Sequence, residues 1–362
     1  MKLLEPCKLG SRRLPNRVVM APLTRRRAEV GKVPGEMMAL YYTQRAGAGL
    51  IITESTEVDP RSAGVSPTRP ALFNRTQMEG WRRVVQHVHD ADGRIWVQLS
   101  HLGRASHPLM LQDGAEPVGP SPVAAEGNAF TPSGPQPFPV PRVLETDEIA
   151  EIVGQFADSA DLALQAGFDG IEIHGANGYL VDQFLRSGSN HRADAYGGSP
   201  ADRTRFLAEV TEAVIEVAGP DRVGVRLSPW SSFNGMADED PAGTFSYVAS
   251  LLDQLGIAYL HVIGPDEASR ESVHLLGEIR KRFGGSLILA QGYDPASAER
   301  ALQAGSADLI AFGKAYLANP DLPERIRLNS PLNIPDPSTF YAGGARGYID
   351  YPSLADPPSS HP

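Results

Sequence analysis

Cysteine is almost absent from this chain: Cys7 is the only one in 362 residues. A single thiol cannot close an intrachain disulfide or supply the ligands of an iron–sulfur cluster, and the cytoplasm is the expected compartment. Long apolar runs are missing as well. The first 16 residues carry charge and proline where a secretory leader needs a continuous apolar stretch, and no later run reaches the roughly 20 residues that span a bilayer. Positive charge is in deficit: 33 Lys and Arg stand against 43 Asp and Glu, a formal net charge of −10. Polyanions are repelled on average, so neither nucleic acid nor an anionic membrane is an expected partner. Metal-ligand spacing is missing too. The nine histidines contain no HxxxH pair, and His87 and His89 lie in a charged helical stretch that reads as solvated surface. No GxSxG elbow and no GxxxxGK[ST] loop occurs.

What is present is a rhythm. Hydrophobic residues at 41% are enough for a large core in a chain of this length. Short apolar, β-branched runs recur at 18–22, 50–53, 95–99, 170–174, 223–227, 258–262, 286–290 and 308–312, with helical patterns between them. Most run without polar alternation, as strands do when helices and barrel core bury both faces. Eight such units predict an α/β fold, a single (β/α)8 TIM barrel over 1–362. The spacing places helices at 147–166, capped by Thr146 or Asp147 and stopped by Gly167, at 200–217, and at 295–304 behind Asp294-Pro295. Two segments break the rhythm. A Pro-, Gly- and Ser-rich excursion after strand three fills 103–143, and a proline-rich tail from about 329 carries aromatics that predict it packs down.

Active sites of such barrels lie at the C-terminal strand ends. His174, Asn177 and Tyr179 gather there within six residues. Two of these side chains can donate to a carbonyl or nitro oxygen, and the phenol can give a proton. Alternatively His174 caps the strand, Asn177 makes a turn and Tyr179 packs. Gln98 and Arg226, on neighbouring barrel strands, can reach one planar heterocycle such as a flavin pyrimidine. The competing role for Arg226 is an ion pair with Glu54 or Glu172. The loops after strands seven and eight, Gln291-Gly292-Tyr293 and Gly313-Lys314, suit a phosphate.

Asn16-Arg-Val-Val-Met-Ala-Pro22-Leu23-Thr24-Arg25, Ile52-Thr-Glu-Ser55, Val97-Gln98-Leu99, His174-Gly-Ala-Asn177-Gly-Tyr179-Leu180, the stretch from Ser187 through Asn190-His191-Arg192 to Ser199, and Phe340-Tyr341 together resemble the old yellow enzyme family. These are FMN-dependent NAD(P)H oxidoreductases, ene-reductases of the N-ethylmaleimide reductase kind. The resemblance covers nearly the whole chain, from an N-terminal hairpin to the tail. It implies a barrel holding FMN non-covalently, NADPH or NADH as reductant, and electron-poor alkenes as substrates, in a monomer or homodimer. Pro22, Leu23 and Thr24 would line the flavin, with Ser55 beside it where many relatives have alanine. Gln98 and Arg226 would meet the pyrimidine, and Gly292, Gly313 and Lys314 the phosphate. His174 and Asn177 would bind the substrate oxygen and Tyr179 would protonate the α carbon, in a ping-pong cycle. Ser100, Phe340 and Tyr341 would border the substrate pocket.

Two departures stand out. Ser100 replaces a tryptophan found in many members and is expected to open that wall. Lys314 replaces the usual arginine, a point charge in place of a fork. The iron–sulfur subclass is excluded, since its cysteine cluster is absent. The alternatives left by the residues alone are a flavin-free barrel isomerase of a phosphorylated metabolite and a non-catalytic flavin-binding barrel.

Overall fold

The apolar runs become strands because both of their faces are covered. In the computed structural model, which describes residues 1–62, 68–265 and 267–355, these strands are β1 (Val18–Met20), β2 (Leu50–Ile52), β3 (Ile95–Ser100), β4 (Gly170–Gly175), β5 (Val223–Leu227), β6 (Tyr259–Ile263), β7 (Ser286–Ala290) and β8 (Leu309–Phe312). All of their residues are buried except Ser286, which is half-buried. Each strand pairs in parallel with the next, and β8 returns to β1, so the barrel closes. Strand order corrects one expectation: β4 lies between Gln98 and Arg226, which are therefore two strands apart.

The helices form an outer ring. Thr146–Ala166 turns Ile149, Ile152, Phe156, Ala160 and Ala163 inward at helical spacing. Its cap is Glu145, ahead of both predicted caps, because the Glu148 carboxylate reaches back to accept the Glu145 N–H at 2.9 Å. Gly167, at φ 95°, ends it as expected. Pro200–Ala218 starts behind Ser199 and Pro295–Gln303 behind Asp294, whose carboxylate accepts the Ser297 N–H at 2.7 Å.

Inside the barrel, the rings of Trp96 and Tyr259 stand 5.0 Å apart and fill the lower half. They fit because Gly170 and Gly224 carry no Cβ; one there would come within 2.4 Å and 2.3 Å of those rings. Beneath them, the hairpin Cys7–Leu9 with Arg12–Leu14 adds Leu9 and Leu14 to the same cluster. That end is solid, so open space is left at the C-terminal ends of the strands.

The excursion is ordered around two small pairings, Val118–Gly119 with Arg142–Val143 and Asn128–Thr131 with Gly134–Pro137. The tail packs down. Tyr348 is fully buried and stacked on Tyr41 at 4.0 Å, and Arg25 donates to the Phe340 and Gly347 carbonyls at 3.0 and 2.6 Å. Among the described residues no helix is long and apolar enough to cross a membrane, and no cluster of His, Cys, Asp and Glu could hold a metal.

Candidate active site

His174 is the penultimate residue of β4, buried at 3% exposure. Burial, then the charges of Arg226 and Arg69, push its pKa well below that of a free imidazole, so it stays neutral. Its Nδ1 is buried without a partner. The chain then turns sharply. Asn177 is held at φ 60°, where few non-glycine residues sit, because its N–H donates to Ser228 Oγ at 2.8 Å and its carbonyl accepts from the Asn234 amide at 2.9 Å. Asp182, fully buried, accepts the Gly178 N–H at 2.9 Å and pairs with Arg186 at 3.0 Å. Tyr179 precedes the short helix Leu180–Leu185, and its ring meets His174 edge-on at 5.0 Å. Of the three residues singled out from sequence, His174 and Tyr179 are thus brought into ring contact, and Asn177 stands between them in the chain on a turn whose backbone groups are already satisfied. Asp182 and Ser228, which belong to no motif, do the holding.

Below His174 lies a polar layer. The Gln98 amide donates to Glu172 Oε1 at 2.7 Å, while Tyr259 and His261 Nδ1 meet Glu172 Oε2 at 3.0 and 2.8 Å. Glu54 is engaged elsewhere, accepting the Arg25 and Arg26 N–H groups at 2.9 and 3.1 Å. Neither carboxylate that could have retired Arg226 is hydrogen-bonded to it, although the nearby Glu172 charge favours the guanidinium. Arg226, 9% exposed, keeps an unpartnered buried Nε. A buried guanidinium without a partner is costly, so its place calls for a ligand.

That place is the wall of a cavity of about 850 Å³. Of the candidates, Pro22, Leu23, Asn177, Arg226, Gly292, Gly313 and Lys314 line it, joined by Trp230 and Tyr293. Gly292 is at φ 76° and Gln291 at φ 79°, which bends the loop after β7 around the rim. An anionic, planar ligand that accepts hydrogen bonds fits these residues. FMN has that chemistry, with a heterocycle for Arg226 and a phosphate for the glycine loops and Lys314.

Gln98 is buried at 1% exposure against Glu172, and Thr24 is half-buried beside Leu23. Ser55 and Ser100 meet instead with each other. The Ser55 hydroxyl donates to Ser100 Oγ at 2.6 Å and accepts from Arg69 Nη2 at 2.6 Å. Ser100 is fully buried and Arg69 is 1% exposed. The expected opening of the wall at Ser100 is not what this row provides, because a guanidinium stands behind the two hydroxyls. Phe340 is half-buried, and Tyr341 is 57% exposed at the rim, with the Arg26 guanidinium 4.9 Å above its ring. Arg69 and Arg26 went unmarked in the sequence, where arginines outside any motif look like surface.

A solid barrel with a polar, cation-lined cavity at its C-terminal mouth defines a nucleotide-cofactor enzyme of the TIM-barrel class. The family model of the NADH:flavin oxidoreductase / NADH oxidase family matches residues 2–333, and the chain belongs to that family, the old yellow enzymes. It is 42% identical to the Probable flavin mononucleotide-dependent alkene reductase of Leishmania infantum, over 97% of each chain. It is likewise 42% identical to 12-oxophytodienoate reductase 1 of Oryza sativa subsp. japonica, covering 98% of this chain and 93% of the relative. Among solved structures, morphinone reductase in complex with tetrahydroNAD superposes with a TM-score of 0.94 at 47% identity, over 98% of both chains. The old yellow enzyme homologue from Zymomonas mobilis gives 0.93 at 41%, over 97% and 99%. The chain is an FMN-dependent, NAD(P)H-using flavin oxidoreductase.

Proposed function

We propose that this enzyme reduces activated carbon–carbon double bonds, in α,β-unsaturated carbonyls, nitroalkenes and maleimides, with NADPH or NADH as the electron source. The observation that carries this reading is the His174–Asn177–Tyr179 turn beside the Arg226 cavity, with the His174 Nδ1 buried and unpartnered. Relatives described as alkene and 12-oxophytodienoate reductases support it.

FMN would be held by Gln98 and Arg226 at its pyrimidine, by Pro22, Leu23 and Thr24 along the ring, and by Gly292, Gly313 and Lys314 at the phosphate. When bound, it supplies the hydride that reaches the β carbon. Neutral His174 and the Asn177 amide donate to the substrate oxygen, draw electron density from the double bond, and stabilise the negative charge that grows on that oxygen. Tyr179 gives its proton to the α carbon. With the barrel filled below by Trp96 and Tyr259, reductant and alkene share one mouth and take turns.

The test is anaerobic. NADH or NADPH should bleach the flavin absorbance, and 2-cyclohexenone should restore it. A protein that takes up no flavin would sink the reading and favour a cofactor-free isomerase. Bleaching without reoxidation by any alkene in a broad panel would leave only a flavin-binding barrel.

A further inference from the structure

Gln98, Glu172, Arg226 and His261 lie on four successive strands, with Arg226 two residues beyond Gly224, the β5 partner of Glu172. Gln98 is opposite Glu172 in the β3–β4 register, and Arg226 is opposite His261 in the β5–β6 register. Glu172 is fully buried and takes three contacts on two oxygens, from the Gln98 amide, the Tyr259 hydroxyl and His261 Nδ1. Burial opposes its charge, but His261, Arg226 and Gln98 outweigh burial and hold it below the ordinary glutamate range. An ionised carboxylate only accepts. The two ends of a glutamine amide are nearly the same shape, so the partner's chemistry decides which end faces where. Facing Glu172, Gln98 must present its NH2 group. Its carbonyl oxygen is then the end left over, and it accepts no hydrogen bond from the described residues. The same carboxylate fixes His261 as the Nδ1–H tautomer, which leaves its buried Nε2 a lone pair.

We propose that Glu172, braced by Tyr259 and His261, is a positioning residue that aims the Gln98 carbonyl oxygen into the cavity, making the floor selective for an imide N–H flanked by carbonyl oxygens. The acceptor comes from Gln98 and the donors from Arg226. A uracil-like edge carries that pattern, and in the FMN reading on which this inference rests it is the flavin N3–H between its two carbonyls. Replacing the carboxylate by an amide of the same shape removes the constraint. Gln98 can then turn its NH2 group toward the ligand, where two donors oppose each other.

The test uses holoprotein loaded with FMN labelled with 15N at N3. The wild-type N3 proton should be downfield and slow to exchange. In Glu172→Gln it should move toward its position in free FMN and exchange faster, and the FMN Kd should rise about tenfold, the worth of one hydrogen bond. Tyr259→Phe removes a brace but keeps the carboxylate, and should leave the N3 proton where it was. An unshifted N3 proton and unchanged affinity in Glu172→Gln overturn the proposal while leaving FMN binding intact; wild-type protein that binds no FMN overturns both readings. Should Glu172→Gln fail to fold, the wild-type protein decides alone: 3-methyl-FMN, which has no N3–H, should bind at least about tenfold more weakly than FMN. Equal binding of the two refutes the proposal.

Discussion

Arg69 donates to Ser55 Oγ at 2.6 Å, and through that hydroxyl it backs Ser100, the position where the family resemblance expects a tryptophan. Ser100 is itself fully buried, with a buried cation one hydroxyl away whose Nε lies 4.0 Å from Glu57. Ser100→Trp should therefore clash rather than restore a pocket wall. We expect a loss of about 3 kcal/mol, the upper range for overpacking. Arg69→Ala in the same chain should recover at least half of it, since Lys32 still pairs with Glu57. Urea unfolding of the two single variants and the double variant measures the coupling; strictly additive losses would show that Arg69 does not fill that space.

The Arg226 side chain donates no hydrogen bond among the described residues, and its Nε is buried unpaired. Arg226→Met removes a desolvated charge but also a cation whose field helps keep Glu172 ionised, so apoprotein stability should stay within about 1 kcal/mol of wild type. FMN affinity should fall about 10- to 100-fold, the range for charge-assisted hydrogen bonds. Calorimetric titration of FMN into both apoproteins, with a thermal melt of each, checks the two expectations. An apoprotein destabilised beyond that margin would mean that Arg226 has a structural partner after all.

Tyr179 stands edge-on to His174 at 5.0 Å, and its task belongs to one half of the cycle. Tyr179→Phe should slow reoxidation by an enone by about a hundredfold or more, while the rate of flavin reduction by NADPH or NADH stays within about twofold of wild type by the same reasoning. Stopped-flow traces of each half-reaction separate them. Equal slowing of both would remove the proton-donor role.

His101 is buried, and burial lowers its pKa from 6.5 to about 3. His174 is shifted in the same direction. Below pH 6.5 the unfolded chain takes up a proton that folded His101 refuses. Its contribution is therefore complete above that pH and is lost as the pH falls toward 3, by about 1.4 kcal/mol per unit. The Gly103 N–H donates to His101 Nδ1 at 3.1 Å, and an asparagine oxygen can take that place. His101→Asn should flatten the fall of the urea midpoint between pH 6.5 and 4. Identical pH profiles for the two proteins would refute this assignment.

The barrel strands were legible because each is buried on both faces, which leaves a run such as Leu50–Ile52 without a polar break. Their C-terminal ends are where such barrels place functional groups, which made His174, Asn177 and Tyr179 candidates; position alone left capping, turn and packing roles open beside them. The supporting residues were not legible. Asp182 sits in a short helix, Glu172 in the middle of β4, and Arg69 outside every motif; Asp182 reaches Ser228 across 46 positions, Glu172 meets His261 across 89, and Arg69 acts through the Ser55 hydroxyl in the loop after β2. The competing fates of Arg226 were likewise undecidable from sequence, because they turned on which donors reached Glu54 and Glu172 first. Glu145 took the cap predicted for Thr146 or Asp147 because a reciprocal contact with Glu148 is visible only in three dimensions.

Arg25 ties the loop after β1 to carbonyls 315 and 322 positions further along the chain. The barrel closes across almost the same span, since β8 returns to β1 with Ile310 beside Val18. Both ends of the chain therefore meet at one seam, and the tail is fastened over it by the buried Arg25 and by the stacked, buried rings of Tyr41 and Tyr348. Cutting the tail back would strip Arg25 of its carbonyl acceptors and leave a cation enclosed beside the mouth. The last residues of the sequence thus serve the first loop of the barrel.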